Sequence, residues 1–201
     1  MSRGEVGTVL VLNGTSSSGK SSLSRELQDR WDGPLLDGGL DRHLAMLPPR
    51  YLSSHWPEVY VYSYAVDGSI ASISVGPVGE RLHRAMHRAV AGLAHCGFDV
   101  VVDHVLLDRR WTVDLADALI GVPAVLVGVR CPLEVLEARE RERAHRTLGQ
   151  AAAQHVAVHR HGRYDVEVDT SQLGPSAAAD VILAWLSERS TPRVFGLLRT
   201  R

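Results

Sequence analysis

Lysine is almost absent from this chain of 201 residues: Lys and Arg total 22, and Lys20 is the only lysine. Every other cation is therefore an arginine. Charge of one sign is also missing, since the formal net charge is -1. No global field favours nucleic acid or an acidic membrane surface. Long apolar runs are absent, which excludes a membrane-spanning helix. Residues 1–7 lead into an apolar run without a signal-peptide pattern, so a cytoplasmic location is expected. Only two cysteines occur, Cys96 and Cys131. They are too few for a disulfide framework and lack metal-ligand spacing, so both read as reduced core residues. Repeats and low-complexity segments are missing as well. What remains is ordinary globular composition, 45% hydrophobic and 22% charged, in a length that suits one domain.

Apolar runs alternate with segments of helical period. Thr8 to Leu12 is a continuous apolar run, as in a buried parallel strand. Lys20 to Trp31 reads as a helix, Leu35 to Asp37 as a short strand, and Asp41 to Leu47 as a helical turn before Pro48-Pro49. Val59 to Val66 is β-rich and ends at Asp67-Gly68, a hairpin signal, with the return over Ser69 to Val75. A helix is expected from Pro77 to His95, a strand over Phe98 to Asp103, and a helix from Asp108 to Leu119. Pro123 to Val129 follows as a strand and Pro132 to Arg146 as a helix. Gln150 to His159 (helix), Val166 to Val168 (strand) and Pro175 to Leu186 (helix) complete the series. This alternation predicts an α/β fold, a parallel sheet with helices on both faces and an inserted hairpin. The tail after Arg189 is expected to be loosely held.

Gly14-Thr15-Ser16-Ser17-Ser18-Gly19-Lys20-Ser21 fits G-x-x-x-x-G-K-[ST] without mismatch, with a strand before it and a helix after. Glycines bring backbone N–H groups close to phosphate oxygens, and the helix start adds its dipole. Lys20 supplies a compact charge to the β and γ phosphates, and the Ser21 hydroxyl suits Mg²⁺. A chain that uses arginine everywhere else keeps lysine where a planar guanidinium would not replace a point charge. The loop and the adjoining Ser22 therefore predict binding of ATP or GTP with Mg²⁺. Asp103, closing an apolar strand, is the candidate carboxylate beside the metal.

These features extend to a family resemblance. Val11 to Ser21, Val102-Asp103-His104-Val105, Val127-Gly128-Val129-Arg130-Cys131 and Tyr164-Asp165-Val166-Glu167-Val168-Asp169-Thr170 are similar to chloramphenicol phosphotransferases. The likeness spans residues 8 to about 170. It implies a P-loop NTPase fold of the shikimate- and adenylate-kinase type, with a five-stranded parallel sheet and an Arg-bearing lid. It implies one domain over residues 1–201, with a substrate-binding insertion over about 41–97 and a lid over about 139–150. It implies transfer of a γ-phosphoryl group to a hydroxyl of a small molecule, an antibiotic that is chloramphenicol-like or otherwise hydroxylated. The family's general base falls on Asp41, and its lid arginines on Arg143 and Arg146, with Arg139 also aligned. Arg139 and Arg143 would meet the nucleotide. The chain departs from the family at Asp103-His104, where paired acids are usual, and over Arg50 to Tyr64, which is richer in aromatics.

By spacing alone Asp41 reads as a helix N-cap; the resemblance implies a base that orients the attacking hydroxyl. Arg139, Arg143 and Arg146 share one helical face that could close over a triphosphate or simply face solvent. His43, His104 and Tyr64 are candidate acceptor contacts, with ordinary structural roles as the alternative. The i, i+4 pairs His83/His87 and His155/His159 lack a further ligand motif, so no metal site is expected there. A kinase of primary metabolism remains open, with Arg42, Arg50 and Arg81 as anion-binding candidates. A nucleotide-binding module without transfer is the other alternative; no Asn-Lys-x-Asp motif supports a GTPase switch. The exposed helices leave the oligomeric state open.

Overall fold

The apolar run before the phosphate loop becomes strand β1 (Val9–Asn13), and every one of its residues is buried. Side chains of a strand alternate between faces, so both faces of β1 must be covered. Val9 and Val11 pack into one core, while Leu10 and Leu12 pack into the other. The computed structural model describes residues 5–142, 148–160, 163–188 and 192–199. The main sheet also holds β2 (Leu35–Asp37), β5 (Asp99–His104), β6 (Ala124–Arg130) and β7 (Val166–Asp169). Its order is β2-β5-β1-β6-β7, with every neighbour parallel. The switch from β5 to β6 on either side of β1 opens a crevice at the C-terminal strand ends, where α/β folds bind ligands.

One face is covered by α1 (Lys20–Arg30) and α7 (Pro175–Ser187), through Leu23, Leu27, Ala178 and Ile182. The other is covered by α3 (Pro77–His95) and α4 (Arg109–Ala118), through Met86, Val90, Trp111 and Leu115. Pro77 opens α3 at a position where its missing N–H costs nothing. Asp108 caps α4 by accepting from the Arg110 N–H. A short α2 (Leu40–Leu44) follows β2. The inserted hairpin is a separate two-stranded antiparallel sheet, β3 (Tyr60–Tyr64) and β4 (Ile70–Val75), turned at Gly68 with φ 83°. Helices α5 (Leu133–Glu142) and α6 (Gln150–Val158) flank residues 143–147, which lie outside the described residues. The expected helix over Pro132 to Arg146 is therefore seen only as far as Glu142.

Two expectations are corrected. The tail after Arg189 is not loose where it is described: α8 (Val194–Arg199) buries Val194 and Phe195 against the α3–α4 face. The Asp165 carboxylate holds its start by accepting from the Arg193 and Val194 N–H groups. Cys96 is exposed rather than buried, because it caps α3 two residues past the last core residue, Ala94; Cys131 is buried.

Candidate active site

The phosphate loop leaves β1 at Asn13 and turns into α1 at Gly19. Gly19 has φ +87°, and Ser17 also lies at positive φ, 63°. At Gly14 an added Cβ would stand 2.6 Å from the Val129 carbonyl oxygen, so only glycine fits there. Lys20 is 5% exposed; its Nζ donates to the Thr15 carbonyl at 2.6 Å and lies 3.5 Å from Asp103 Oδ1. Ser21 Oγ donates to Asp103 Oδ2 at 2.7 Å. The predicted lysine, serine and carboxylate are thus one cluster, drawn from α1 and the end of β5. Its oxygen donors suit Mg²⁺. The Ser17 and Ser18 hydroxyls are buried without a partner among the described residues, as donors awaiting phosphate oxygens would be.

Two cavities meet at this loop. One, of about 690 Å³, runs from Lys20, Ser21 and Asp103 past Asp41 to Trp56, Tyr60, Tyr62 and Trp111. The other, of about 540 Å³, is walled by Arg139, Thr170, Gln172 and Leu173 and shares Ser17, Gly19 and Ser22 with the first. Arg139 donates to the Thr170 hydroxyl at 3.2 Å and to its carbonyl at 2.7 Å, so its guanidinium stands at the edge of this second cavity. The family-aligned Arg143 and Arg146 lie outside the described residues.

Asp41 does not cap α2. The cap position is Gly39, and Asp41 sits exposed in the first turn, lining the larger cavity. No hydrogen bond engages its carboxylate among the described residues. Arg42, one anion-binding candidate, donates from Nε to Asp37 at 2.7 Å, and Arg50 lies over the Tyr51 ring.

Three expected acceptor contacts lie elsewhere. His43 is buried and its Nδ1 faces the Gly39 carbonyl at 3.1 Å, one turn back in the same helix. Tyr64 is 59% exposed near the hairpin turn, beyond the wall made by Tyr60 and Tyr62. His104 is fully buried behind Asp103, where it joins His83 and His87 of α3.

One ring nitrogen from each of these three histidines can lie within 4.8 Å of the others. Their hydrogen bonds fix a different use. His104 Nδ1 accepts from the Val105 N–H at 2.8 Å, so its proton is on Nε2. That proton points to His87 Nε2 at 3.0 Å, and His87 Nδ1 in turn donates to Asp114 at 2.7 Å. The chain is closed with all rings neutral, and His104 has no lone pair left for a metal. Burial, then the neighbouring imidazoles and Lys20, push His104 well below the ordinary histidine range. Burial, then His87, lowers His83 to about 3. His87 is also lowered by burial, against the pull of Asp114.

Two supports were missed by sequence reasoning. Asn13 is the only asparagine of the chain. Its Oδ1 accepts from the Leu106 N–H, and its Nδ2 donates to the Val158 carbonyl and the Tyr164 hydroxyl. Gln154 accepts from the Ser16 N–H at 2.7 Å, tying α6 to the phosphate loop. Scarcity was the signal available for Asn13, the same signal that marked Lys20. Nothing local marked Gln154.

A phosphate loop closing into α1, a lysine–serine–aspartate cluster and a sheet ordered about β1 define a phosphotransferase with the P-loop kinase fold. The chain belongs to the chloramphenicol phosphotransferase-like family, whose model matches residues 7–187. It is 30% identical over 200 residues to two Mycobacterium tuberculosis proteins named as candidate O-phosphotransferases, covering 97% of this chain and 89% of theirs. Among solved structures, it resembles a gluconokinase from Sinorhizobium meliloti at TM-score 0.60 and 19% identity, covering 94% of this chain and 95% of that one. It also resembles the tunicamycin resistance protein of Deinococcus radiodurans at TM-score 0.60 and 16% identity, covering 90% and 95%. These structural likenesses establish the fold. No described helix is long and apolar enough to cross a membrane.

Proposed function

We propose that the protein transfers the γ-phosphoryl group of ATP to a hydroxyl of a small, neutral, hydroxylated acceptor of the antibiotic kind. One observation carries the reading: a single cavity joins the Lys20–Ser21–Asp103 cluster to an unengaged Asp41 carboxylate and then to an aromatic wall. The phosphate loop and Lys20 hold the triphosphate, and the second cavity, beside Arg139, takes the nucleoside. Ser21 and Asp103 would hold Mg²⁺, which neutralises charge on the β and γ phosphates. Asp41 accepts a hydrogen bond from the acceptor hydroxyl and orients it. As the oxygen–phosphorus bond forms, the bond to the β–γ bridging oxygen breaks, ADP leaves, and the hydroxyl proton passes to Asp41. A loose transition state demands little early proton removal, so an ordinary aspartate suffices.

An anionic acceptor fits less well. Arg42 is engaged by Asp37, and the far end is lined by Trp56, Tyr60, Tyr62, Ile73, Leu107 and Trp111. The test is a screen with labelled ATP across hydroxylated antibiotics and primary metabolites, with the modified hydroxyl located by mass spectrometry. Label appearing only on anionic metabolites would overturn the neutral-acceptor reading. Asp41→Asn is expected to keep nucleotide affinity within about twofold and to lose turnover by about a hundredfold or more. Unchanged turnover in that variant would remove Asp41 from the mechanism.

A further inference from the structure

The larger cavity has a polar group on its aromatic wall that the transfer chemistry does not use. Tyr60 lines the cavity, and its Oη lies 2.8 Å from His83 Nε2. His83 is 1% exposed, and its ring is stacked on Trp111 with centroids 4.3 Å apart and planes 12° apart. One buried imidazole therefore fixes two walls, the hairpin through Tyr60 and α4 through Trp111.

The direction of the Tyr60–His83 bond follows from the other ring nitrogen. His83 Nδ1 is buried with no partner among the described residues. A neutral imidazole carries one proton. On Nδ1, that proton would be stranded in the core, and orphaned buried N–H groups are rare. On Nε2, it is spent on Tyr60. The Tyr60 oxygen is then the acceptor of that bond, and its own O–H is free for a second partner. Burial, then Tyr62 and Asp41, raises the phenol above the ordinary tyrosine range, so it keeps its proton. Tyr60 and Asp41 line the same cavity.

We propose that Tyr60 is a specificity-determining residue, held by His83 so that it donates its proton to a neutral oxygen of the acceptor, while Asp41 receives the reacting hydroxyl. The proposal rests on the reading of this cavity as the acceptor site. It selects molecules that pair an apolar or aromatic body with at least two oxygens, one for each group. A carboxylate, sulfate or phosphate on the wall side would meet the charge of Asp41, and Arg42, the cation next to Asp41 in the same cavity, is already paired with Asp37, though Arg25 also lines the cavity.

The probe is styrene glycol, a phenyl ring with two neutral hydroxyls, compared with mandelate, in which a carboxylate replaces one carbinol. Binding to the full chain with a non-hydrolysable ATP analogue and Mg²⁺ is read by saturation-transfer NMR titration. Wild type is expected to favour the glycol over mandelate by about tenfold, and Tyr60→Phe to weaken the glycol by about tenfold, the worth of one hydrogen bond. His83→Gln, whose amide keeps a donor toward Tyr60, is expected to retain most of the affinity, and His83→Leu to lose it. Nitrogen-15 NMR of wild type is expected to show the Nε2–H tautomer of His83. An Nδ1–H tautomer, no glycol binding to wild type, or equal glycol binding by wild type and Tyr60→Phe overturns the proposal. Glycol binding with the expected pattern, in a protein that phosphorylates no hydroxyl in the screen, sustains it and sinks the transfer reading instead.

Discussion

The two ends of the larger cavity are built by different means. The phosphate end comes almost wholly from one stretch, Gly14 to Ser21, and its geometry is backbone geometry: a positive φ at Gly19 and a contact at Gly14 that admits no side chain. The aromatic end draws Trp56, Tyr60 and Tyr62 from the hairpin region, Trp111 from α4 and His83 from beneath them. Its geometry is side-chain packing between segments far apart in sequence. A backbone-built site tolerates few residue types and reads as a motif. A packed wall can change residue by residue while the fold stays.

The largest expected effect lies at the phosphate end. Lys20→Ala removes the chain's one lysine ammonium from the phosphate loop and should cost at least about a thousandfold in kcat/KM with the fold intact. Circular dichroism alongside the transfer assay checks both halves. Full activity in this variant would erase the contrast between the two ends, because the motif would then carry no chemistry.

Asn13→Ala probes the support beneath that end. It leaves the Leu106 N–H and the Val158 carbonyl without their side-chain partner in a fully buried place. Each stranded group costs about 1–3 kcal/mol, so a loss of about 3 kcal/mol is expected in urea unfolding. A loss below about 1 kcal/mol would mean that the phosphate end is not braced from behind.

The histidines behind Asp103 give the comparison a pH axis. His83 is lowered to about 3 from an ordinary value of 6.5. Below about pH 6.5 the unfolded chain therefore binds more protons than the folded one, and stability falls as pH falls. For His83 alone the loss is about 2 kcal/mol between pH 7 and pH 5, with His87 and His104 adding in the same direction. Urea midpoints at the two pH values measure it, and a His83→Phe background should show a smaller drop. Equal midpoints would mean that the cluster is charged, or open to solvent, in the folded protein.

How much was legible follows the same division. The parallel α/β sheet was legible in apolar runs alternating with helical periods, though its strand order was not; the motif marked Lys20 and Ser21, and the end of an apolar strand marked Asp103. The family likeness marked Asp41 when spacing alone argued for a cap. His43, His104 and Tyr64, expected as acceptor contacts, do not line the larger cavity, because a residue's position near a motif does not say which way its side chain turns. His43 bonds back along its own helix, and His104 points into the core. The His83–Tyr60 and Gln154–Ser16 bonds join residues 23 and 138 positions apart, and no local pattern encodes such a pair.

Gln154 carries the smallest expected effect and sharpens the comparison most, because α6 touches both ends. Its Oε1 takes the Ser16 N–H of the phosphate loop, and one turn earlier Gln150 Nε2 donates to the Tyr62 hydroxyl on the aromatic wall at 3.0 Å. Buried Glu140 of α5 fixes the start of α6 by accepting from the Gly149 and Ala151 N–H groups. Gln154→Ala strands one loop N–H but leaves water a path from the cavity, so the expected loss is about 1 kcal/mol, read as about a fivefold weaker affinity for the ATP analogue. Gln150→Ala touches only the wall. If the ends are independent, it leaves nucleotide affinity unchanged and the two substitutions add. A nucleotide affinity that falls in Gln150→Ala, or a double variant that departs from additivity, would show instead that the packed wall sets the shape of the loop through α6.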